Sequence, residues 1–555
     1  MKRKEFFMPF KTALQARWNA VRSWRPDKEK RWHYAFLLFS WACFIFACWR
    51  TWQVVYGRMY YLLDSDMSSE LVLSHLLRQE HKIVTQDWFY STELRVFNIH
   101  WAFTPLFFLF DNWLKVRQIG TFIVLALMVL SCLYFCWQAG IRQLFPLIAA
   151  LMMTPVSDAY FRILLLTISY PPYITATFFT MGLLFQYMKT PRRRTRAIQL
   201  VIMTAFAVLL GTNGLRQLLI LYLPLFLGAL LLAVLRSPAR SGDTLPELDR
   251  ATGRMLFGSA AALVGAGIGW QINARVLRYI YHYTSQEGVQ FKPFEGARLE
   301  RLFTGWLESF GYQDSGYITS TNLFYNAFCF LALLVLICAF ISLVRRPQDY
   351  TLQEKLIYVM ALIAFVIYHG LYLFTDMVYY TRYNIPIVVL MMPVAVDYLY
   401  RLPRCRFWRG ACIGVMAALL LWCGNDYYTK LWPRNMTGNH EEAVAALRVA
   451  GYTEGYATFW NGNIMVELSN GAFDIRVWNP TEKLQDPDNV YQWLQETDHV
   501  DTRPEGPVFV FLERHELQDI LGEHALDKGT VEFENEDYIA YGYPSYDAMR
   551  ADFYD

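Results

Sequence analysis

Basic residues nearly vanish from residues 436–555, which hold 24 of the 48 acids but seven of the 51 lysines and arginines. A stretch without basic clusters carries none of the charge that holds membrane-flanking segments in the cytoplasm. Cysteine is sparse too: nine in 555 residues, from Cys43 to Cys423, all in or beside hydrophobic runs and none in the acidic tail. That distribution excludes a disulfide framework, and no spacing suits a zinc site; Cys132 and Cys136 sit one turn apart inside an apolar run, as packing residues do. His75 has no second histidine at ligand spacing. The basic N-terminus leads into a full-length apolar segment without a small-residue cleavage site, so the first span is expected to stay in the protein. Internal repeats and low-complexity linkers are absent, which argues against the duplicated halves of many transporters.

What is present is apolar: 55% hydrophobic and 17% aromatic residues, too much for ordinary soluble domains. About 20 apolar residues cross the hydrocarbon core. Candidate spans fall near 33–54, 118–137, 143–156, 173–189, 197–211, 217–235, 255–272, 321–344, 355–374, 384–400 and 410–424, about eleven transmembrane helices. Residue clusters Arg192 to Arg196, Arg236 to Arg254, Arg345-Arg346 and Arg401 to Arg409 separate alternate spans, and residues 1–33 hold ten basic residues against three acids. By the positive-inside rule these segments face the cytoplasm and the C-terminus lies outside. The expected architecture is an α-helical polytopic membrane protein: a basic cytoplasmic segment 1–32, a transmembrane module 33–424 with a long first outer loop 55–117, and an extracytoplasmic acidic α/β domain 425–555.

The first loop carries Asp64-Ser-Asp66 and Glu70, then Glu93-Leu-Arg95, directly after the first span. Asp64 and Ser65 also suit the start of the helix that follows. Ser69 to Gln79 has a leucine stripe fit for the membrane interface, and the apolar run Val96 to Phe110 is too short to span. Other outer loops supply Asp158 and Arg162, Arg216, and Asp376 and Arg382. In the tail, Asn439 is expected to cap a helix to Gly451. Strands are expected at Tyr456 to Trp460, Phe473 to Trp478 and Val508 to Leu512, with a helical Tyr491-Gln-Trp-Leu between them.

Attack on an activated sugar needs a carboxylate to take the proton of the incoming hydroxyl and cations to stabilise the departing phosphate. Asp66 or Asp64 suits the first task. Arg216 and Arg382 suit the second, because guanidinium matches phosphate oxygens and stays charged when dehydrated. Asp64-Ser-Asp66 also admits a divalent cation, Mg or Mn, without demanding one.

A long first outer loop with acids just after span one, an interfacial helix, a hydrophobic run closing on Trp113 and Arg117, and Tyr380-Thr-Arg382-Tyr383 before a proline-containing late span resemble the GT-C superfamily of integral-membrane glycosyltransferases, such as protein O-mannosyltransferases and aminoarabinose transferases. Asp64-x-Asp66-x-x-x-Glu70, Tyr90-Ser-Thr-Glu93-Leu-Arg95 and Gly455-Tyr-Ala-Thr-Phe-Trp460-Asn are similar to an uncharacterised bacterial group, Gram-positive in kind. The resemblance implies transfer of a sugar from a polyprenyl-phosphate donor to a cell-envelope glycan, lipid or protein at the outer face of a bacterial plasma membrane, with no nucleic-acid partner. It implies Asp66 or Asp64 as base and Arg382 near the donor phosphate; Arg216 is expected on the same phosphate, and Glu70, Glu93 and Arg95 around the cavity. Trp460, Asn461 and Asn463 are expected toward the acceptor, with a buried core Trp460 as the competing reading. The relatives' adjacent Asp-Glu is missing here, since Met67 follows Asp66, and the tail has no Trp-Trp-Asp motif. The rival functions are a lipid-linked sugar flippase and a non-catalytic membrane scaffold.

Overall fold

The computed structural model describes residues 28–236, 249–284, 289–313, 322–402, 406–522, 524, 526 and 528–554. Most of the basic N-terminal segment expected at 1–32 lies outside them. Helix α1 (Lys28–Gly57) runs 30 residues, about 45 Å at 1.5 Å per residue. After it come α2 (Ser65–Glu80), the short α3 (His100–Leu106) and α4 (Trp113–Ala139). Among the described residues nine helices are long and apolar enough to cross a membrane, or ten if the pair Asp158–Leu166 and Pro171–Lys189, bent by 76°, counts as one.

The stretch 143–156 departs from expectation. Its helix α5 (Phe145–Met152) has eight residues, roughly 12 Å of rise against some 30 Å of hydrocarbon. The chain breaks at Thr154-Pro155 and resumes in α6 (Asp158–Leu166), which is bent by 76° from Pro171–Lys189. Arg162 of α6 pairs with Asp64. The count of about eleven full-length helices is therefore corrected to nine or ten.

The bundle continues through α7 (Pro171–Lys189), α8 (Arg193–Gly211), α9 (Leu215–Arg236), α10 (Arg250–Arg275), the amphipathic α11 (Gly296–Ser309), α12 (Asn322–Arg345), α13 (Leu352–Phe374), α14 (Ile385–Arg401) and α15 (Arg406–Leu431). The eight described cysteines are free thiols.

At one end of the bundle sits a small α/β domain, with helices α16 (Gly438–Ala450) and α17 (Phe459–Leu468) and strands β1 (Glu454–Thr458), β2 (Asp474–Trp478), β3 (Val508–Glu513), β4 (Thr530–Glu534) and β5 (Tyr538–Tyr543). The sheet order is β2-β1-β3-β5-β4, with β1 parallel to β2 and β3 and an antiparallel hairpin closing the edge. Two local expectations fail. Residues 491–494 are not helical, because their amides are taken elsewhere: Tyr491 donates to the Val477 carbonyl at 2.8 Å and Leu494 to that of Phe89 at 2.7 Å. Asn439 does not cap α16; Thr437 occupies that position, and Asn439 bonds Asp537 and Asn535.

Helix α2 also differs from an interfacial helix. Leu71, Leu73, Leu76 and Leu77 are buried, but so are Ser65, Ser68, Ser69, Glu70 and Ser74 on its other sides. It lies between the bundle and α17, so the polar face that water would have covered is covered by protein. The Ser65 hydroxyl donates to the Phe459 carbonyl at 2.6 Å.

Candidate active site

Four carboxylates and four guanidinium groups meet where α2 faces the ends of the spans. Asp64 caps α2: its carboxylate accepts from the Met67 amide at 2.9 Å, satisfying a first-turn donor. Its other oxygen accepts from Arg162 at 2.9 Å. Glu70, 2% exposed, pairs with Arg95. Glu93 holds Arg216 at 3.1 Å and accepts from the Tyr173 hydroxyl at 3.2 Å. Three acids and three arginines are thus paired. Asp66 and Arg382 are left without an ion-pair partner within 4.0 Å among the described residues.

Asp66 is open to solvent yet stands among the charged groups of the cluster. Burial first, and the charge of Asp64 second, raise its carboxyl above the ordinary value; the fields of Arg95, Arg382 and Arg162 pull the other way. A carboxylate with a raised pKa that still reaches water is a stronger proton acceptor than a surface aspartate.

The two arginines expected on phosphate are brought together by one ring. The Arg216 guanidinium lies 5.8 Å from the Tyr383 ring centre and the Arg382 guanidinium 5.6 Å from it. Arg216 also lies over Tyr170 and Tyr173, and Arg382 over Tyr380. Local backbone sets both positions. The α8–α9 hairpin turns at Gly214, whose φ of 112° favours glycine, and Arg216 precedes a π-helical segment Leu218–Tyr222. Another π segment, Phe161–Leu166, contains Arg162; such segments cluster at functional sites. Asn213 pins this hairpin to the first loop, its amide donating to the Phe97 carbonyl and accepting from the Phe97 amide, both at 2.9 Å.

Arg382 is presented by a strap. The buried Asn384 donates to Tyr379 at 2.6 Å and to Ser309 at 2.8 Å, and Thr381 donates to Glu308 at 2.8 Å. Gly305 has to be glycine here, because a Cβ would stand 2.1 Å from the Tyr379 ring. Helix α11 thereby fixes the turn that carries Arg382.

The bundle also holds an apolar cavity. Val388, Met391, Ala395 and Leu399 of α14 line it, facing Phe328 of α12 and Leu420 of α15. Val388 is six residues along from Arg382, about 9 Å of helix.

The tail residues divide. Trp460 is 51% exposed, so the reading of a buried core tryptophan fails. Asn461 and Asn463 are 1% and 3% exposed and are spent inside the domain: Asn461 bonds His440 at 2.9 Å and Thr458 at 3.0 Å, and Asn463 donates to the Leu494 carbonyl at 3.1 Å. Neither bonds to the charged cluster. A divalent cation finds little to bind. Both Asp64 oxygens are used, Asp66 is ringed by guanidinium charge, and the described residues contain no group of three His, Cys, Asp or Glu able to hold a metal.

Sequence reasoning missed the tyrosine cage around Arg216 and the partners of Arg117. The Tyr379-Tyr-Thr-Arg-Tyr run was a signal for the first. Nothing local pointed to the second, since Arg117 pairs with Glu467, 350 positions away.

No protein-family model matches the sequence, and no curated protein matches it. Solved structures do. The chain superimposes on ArnT from Cupriavidus metallidurans bound to undecaprenyl phosphate with a TM-score of 0.52 at 11% identity, over 90% of this chain and 97% of that one. The same enzyme in its apo state gives 0.49 at 12% identity, over 88% and 97%. An Archaeoglobus fulgidus oligosaccharyltransferase tethered to an acceptor peptide gives 0.48 at 10% identity, over 88% and 70%. The chain therefore shares the fold of ArnT over 90% of its length.

Proposed function

We propose that this protein transfers a sugar from a polyprenyl-phosphate carrier to a cell-envelope acceptor at the outer face of a bacterial plasma membrane. The observation that carries the reading is the residue left over on each side of the charge ledger: Asp66 and Arg382, without an ion-pair partner among the described residues, with Arg382 close enough for its charge to act on Asp66.

Asp66 takes the proton of the acceptor hydroxyl, whose oxygen attacks the anomeric carbon of the donor sugar. The bond from that carbon to the phosphate oxygen breaks, and the polyprenyl phosphate leaves with its negative charge held by Arg382. Asp64 keeps α2 in register and raises the basicity of Asp66 through its charge. Arg216, tied to Glu93, steadies Tyr383 from behind and adds positive potential to the phosphate position. Glu70 with Arg95 forms the floor. The apolar cavity along α14 suits the first isoprene units of the carrier, because α14 follows Arg382 in the chain and contributes no polar side chain to the cavity lining. ArnT, whose fold this chain shares, binds undecaprenyl phosphate.

The test is purified protein given a panel of polyprenyl-phosphate sugars, with and without chelator. Release of polyprenyl phosphate by the wild type, lost in Asp66→Asn and indifferent to chelator, is the expected result. Release that survives Asp66→Asn would overturn the assignment of the base.

A further inference from the structure

Helix α17 is covered on every side except at one residue. Phe459 and Asn461 to Glu467 are all buried and Leu468 is half-buried, yet Trp460 in the first turn is 51% exposed. An exposed indole forgoes the largest apolar burial a side chain offers, so its place on an otherwise enclosed helix calls for a partner. Its position is fixed from two sides. The Phe459 carbonyl accepts from Ser65, the residue between Asp64 and Asp66, and Asn461 is held by His440 and Thr458.

Trp460 does not stand alone. Its ring is 5.1 Å from Phe459, which lies 6.2 Å from Tyr491, and Tyr491 stacks on Trp493 at 6.0 Å with 14° between the planes. Tyr491 and Trp493 are partly buried, each keeping some exposed surface. The turn carrying them is strained: Leu494 has φ of 51°, a conformation bulky residues avoid. Two bonds keep it there, from the Leu494 amide to Phe89 and from Asn463 to the Leu494 carbonyl. Backbone strain that surrounding contacts enforce is typical of binding sites.

We propose that Trp460, Tyr491 and Trp493 form a subsite for the sugar rings of a glycan acceptor, so that the acceptor is an oligosaccharide chain whose reacting end reaches Asp66. The inference deepens the glycosyltransferase reading and rests on it. Pyranose rings offer a face of C–H groups that lies flat on indole and phenol, and several such rings hold a chain where a single ring would hold a monomer. Trp460 lies one residue from the Phe459 contact with Ser65. Charge narrows the class further. Residues 436–555 carry 24 acids and seven basic residues, and Glu482 lies close enough to act on Tyr491. Such a surface repels polyphosphate polymers and admits neutral or amino sugars.

The test titrates full-length protein in detergent with neutral oligosaccharides of one to six sugars and with a glycerol-phosphate polymer, following tryptophan fluorescence and calorimetry. Affinity should rise with chain length, fall at least tenfold in Trp460→Ala and in Trp493→Ala, and recover in Trp460→Phe. The phosphate polymer should not compete. Absence of oligosaccharide binding by the wild type, or binding unchanged by both alanine variants, would overturn the proposal. So would a Trp460→Ala variant that loses only partition into phospholipid vesicles, which would make the row a membrane belt. Polyprenyl phosphate release by the wild type, measured in parallel with water as acceptor, reports on the parent reading separately. Sugar binding without release would sink that reading and leave the subsite, and release without sugar binding would do the reverse.

Discussion

Arg117, near the start of α4, and Glu467, in the last turn of α17, form a bidentate ion pair of 2.5 and 2.6 Å at 1% and 4% side-chain exposure. The same guanidinium donates to the Met67 carbonyl at 2.9 Å. One side chain therefore ties a span, the helix bearing Asp66 and the C-terminal domain together. Glu467→Ala leaves a buried arginine uncompensated and is expected to cost about 3–5 kcal/mol, seen as a lower unfolding midpoint and easier proteolytic release of the C-terminal domain. Replacing both partners with methionine should restore most of the loss, since the desolvation cost goes with the charges.

Asp66→Asn is expected to separate stability from activity. A carboxyl whose pKa is raised by burial and by Asp64 binds more protons folded than unfolded. Its favourable contribution is complete below the unfolded pKa and is lost as pH rises through the folded value. At neutral pH the amide removes that cost, so the variant should melt no lower than the wild type while transfer falls roughly 10²–10⁴-fold. In the wild type, transfer should decline as pH drops through the raised pKa and the base becomes protonated.

Arg382 and Arg216 should respond differently to truncation. Arg382→Ala removes a group with no ion-pair partner among the described residues; its melting should be unchanged and its turnover lowered roughly 10²–10³-fold. Arg216→Ala strands Glu93 and should cost stability as well, roughly 1–3 kcal/mol. Lysine at 382 should recover part of the rate, because it keeps the charge and loses the fork. Thermal melts and donor kinetics on the three variants check this.

Glu496 sets a pH dependence at the seam between the C-terminal domain and the first loop, where it bridges to Trp88. Burial pushes its carboxyl up to about 7; Asp498, Asp474 and Glu80 add to the rise and His499 opposes it. Stability from this group is full below the unfolded pKa and disappears as pH passes about 7. The wild-type domain should thus unfold more readily at about pH 8 than at about pH 6, and Glu496→Gln should flatten that difference. Tryptophan fluorescence melts across the range measure it.

The sequence by itself determined the class of molecule. Apolar length and charge bias are local properties, so the spans, the acid-rich turn at residues 64–70 and the α/β tail could be read directly. The cap on α2 was legible for the same reason, as Asp64 and Met67 are three residues apart. Local pattern misled where distant partners took over the backbone or the surface. Residues 491–494 gave up helix for bonds to Val477 and Phe89, and the leucine helix α2 was buried rather than laid on lipid. Only the tertiary structure decided which acids are paired. Asp66 and Asp64 were both candidates for the base until packing brought Arg162 against Asp64, as it brought Arg95 against Glu70 and Arg216 against Glu93. Asp66 has no such partner among the described residues, because ion pairing depends on where folded helices place their ends and not on spacing along the chain.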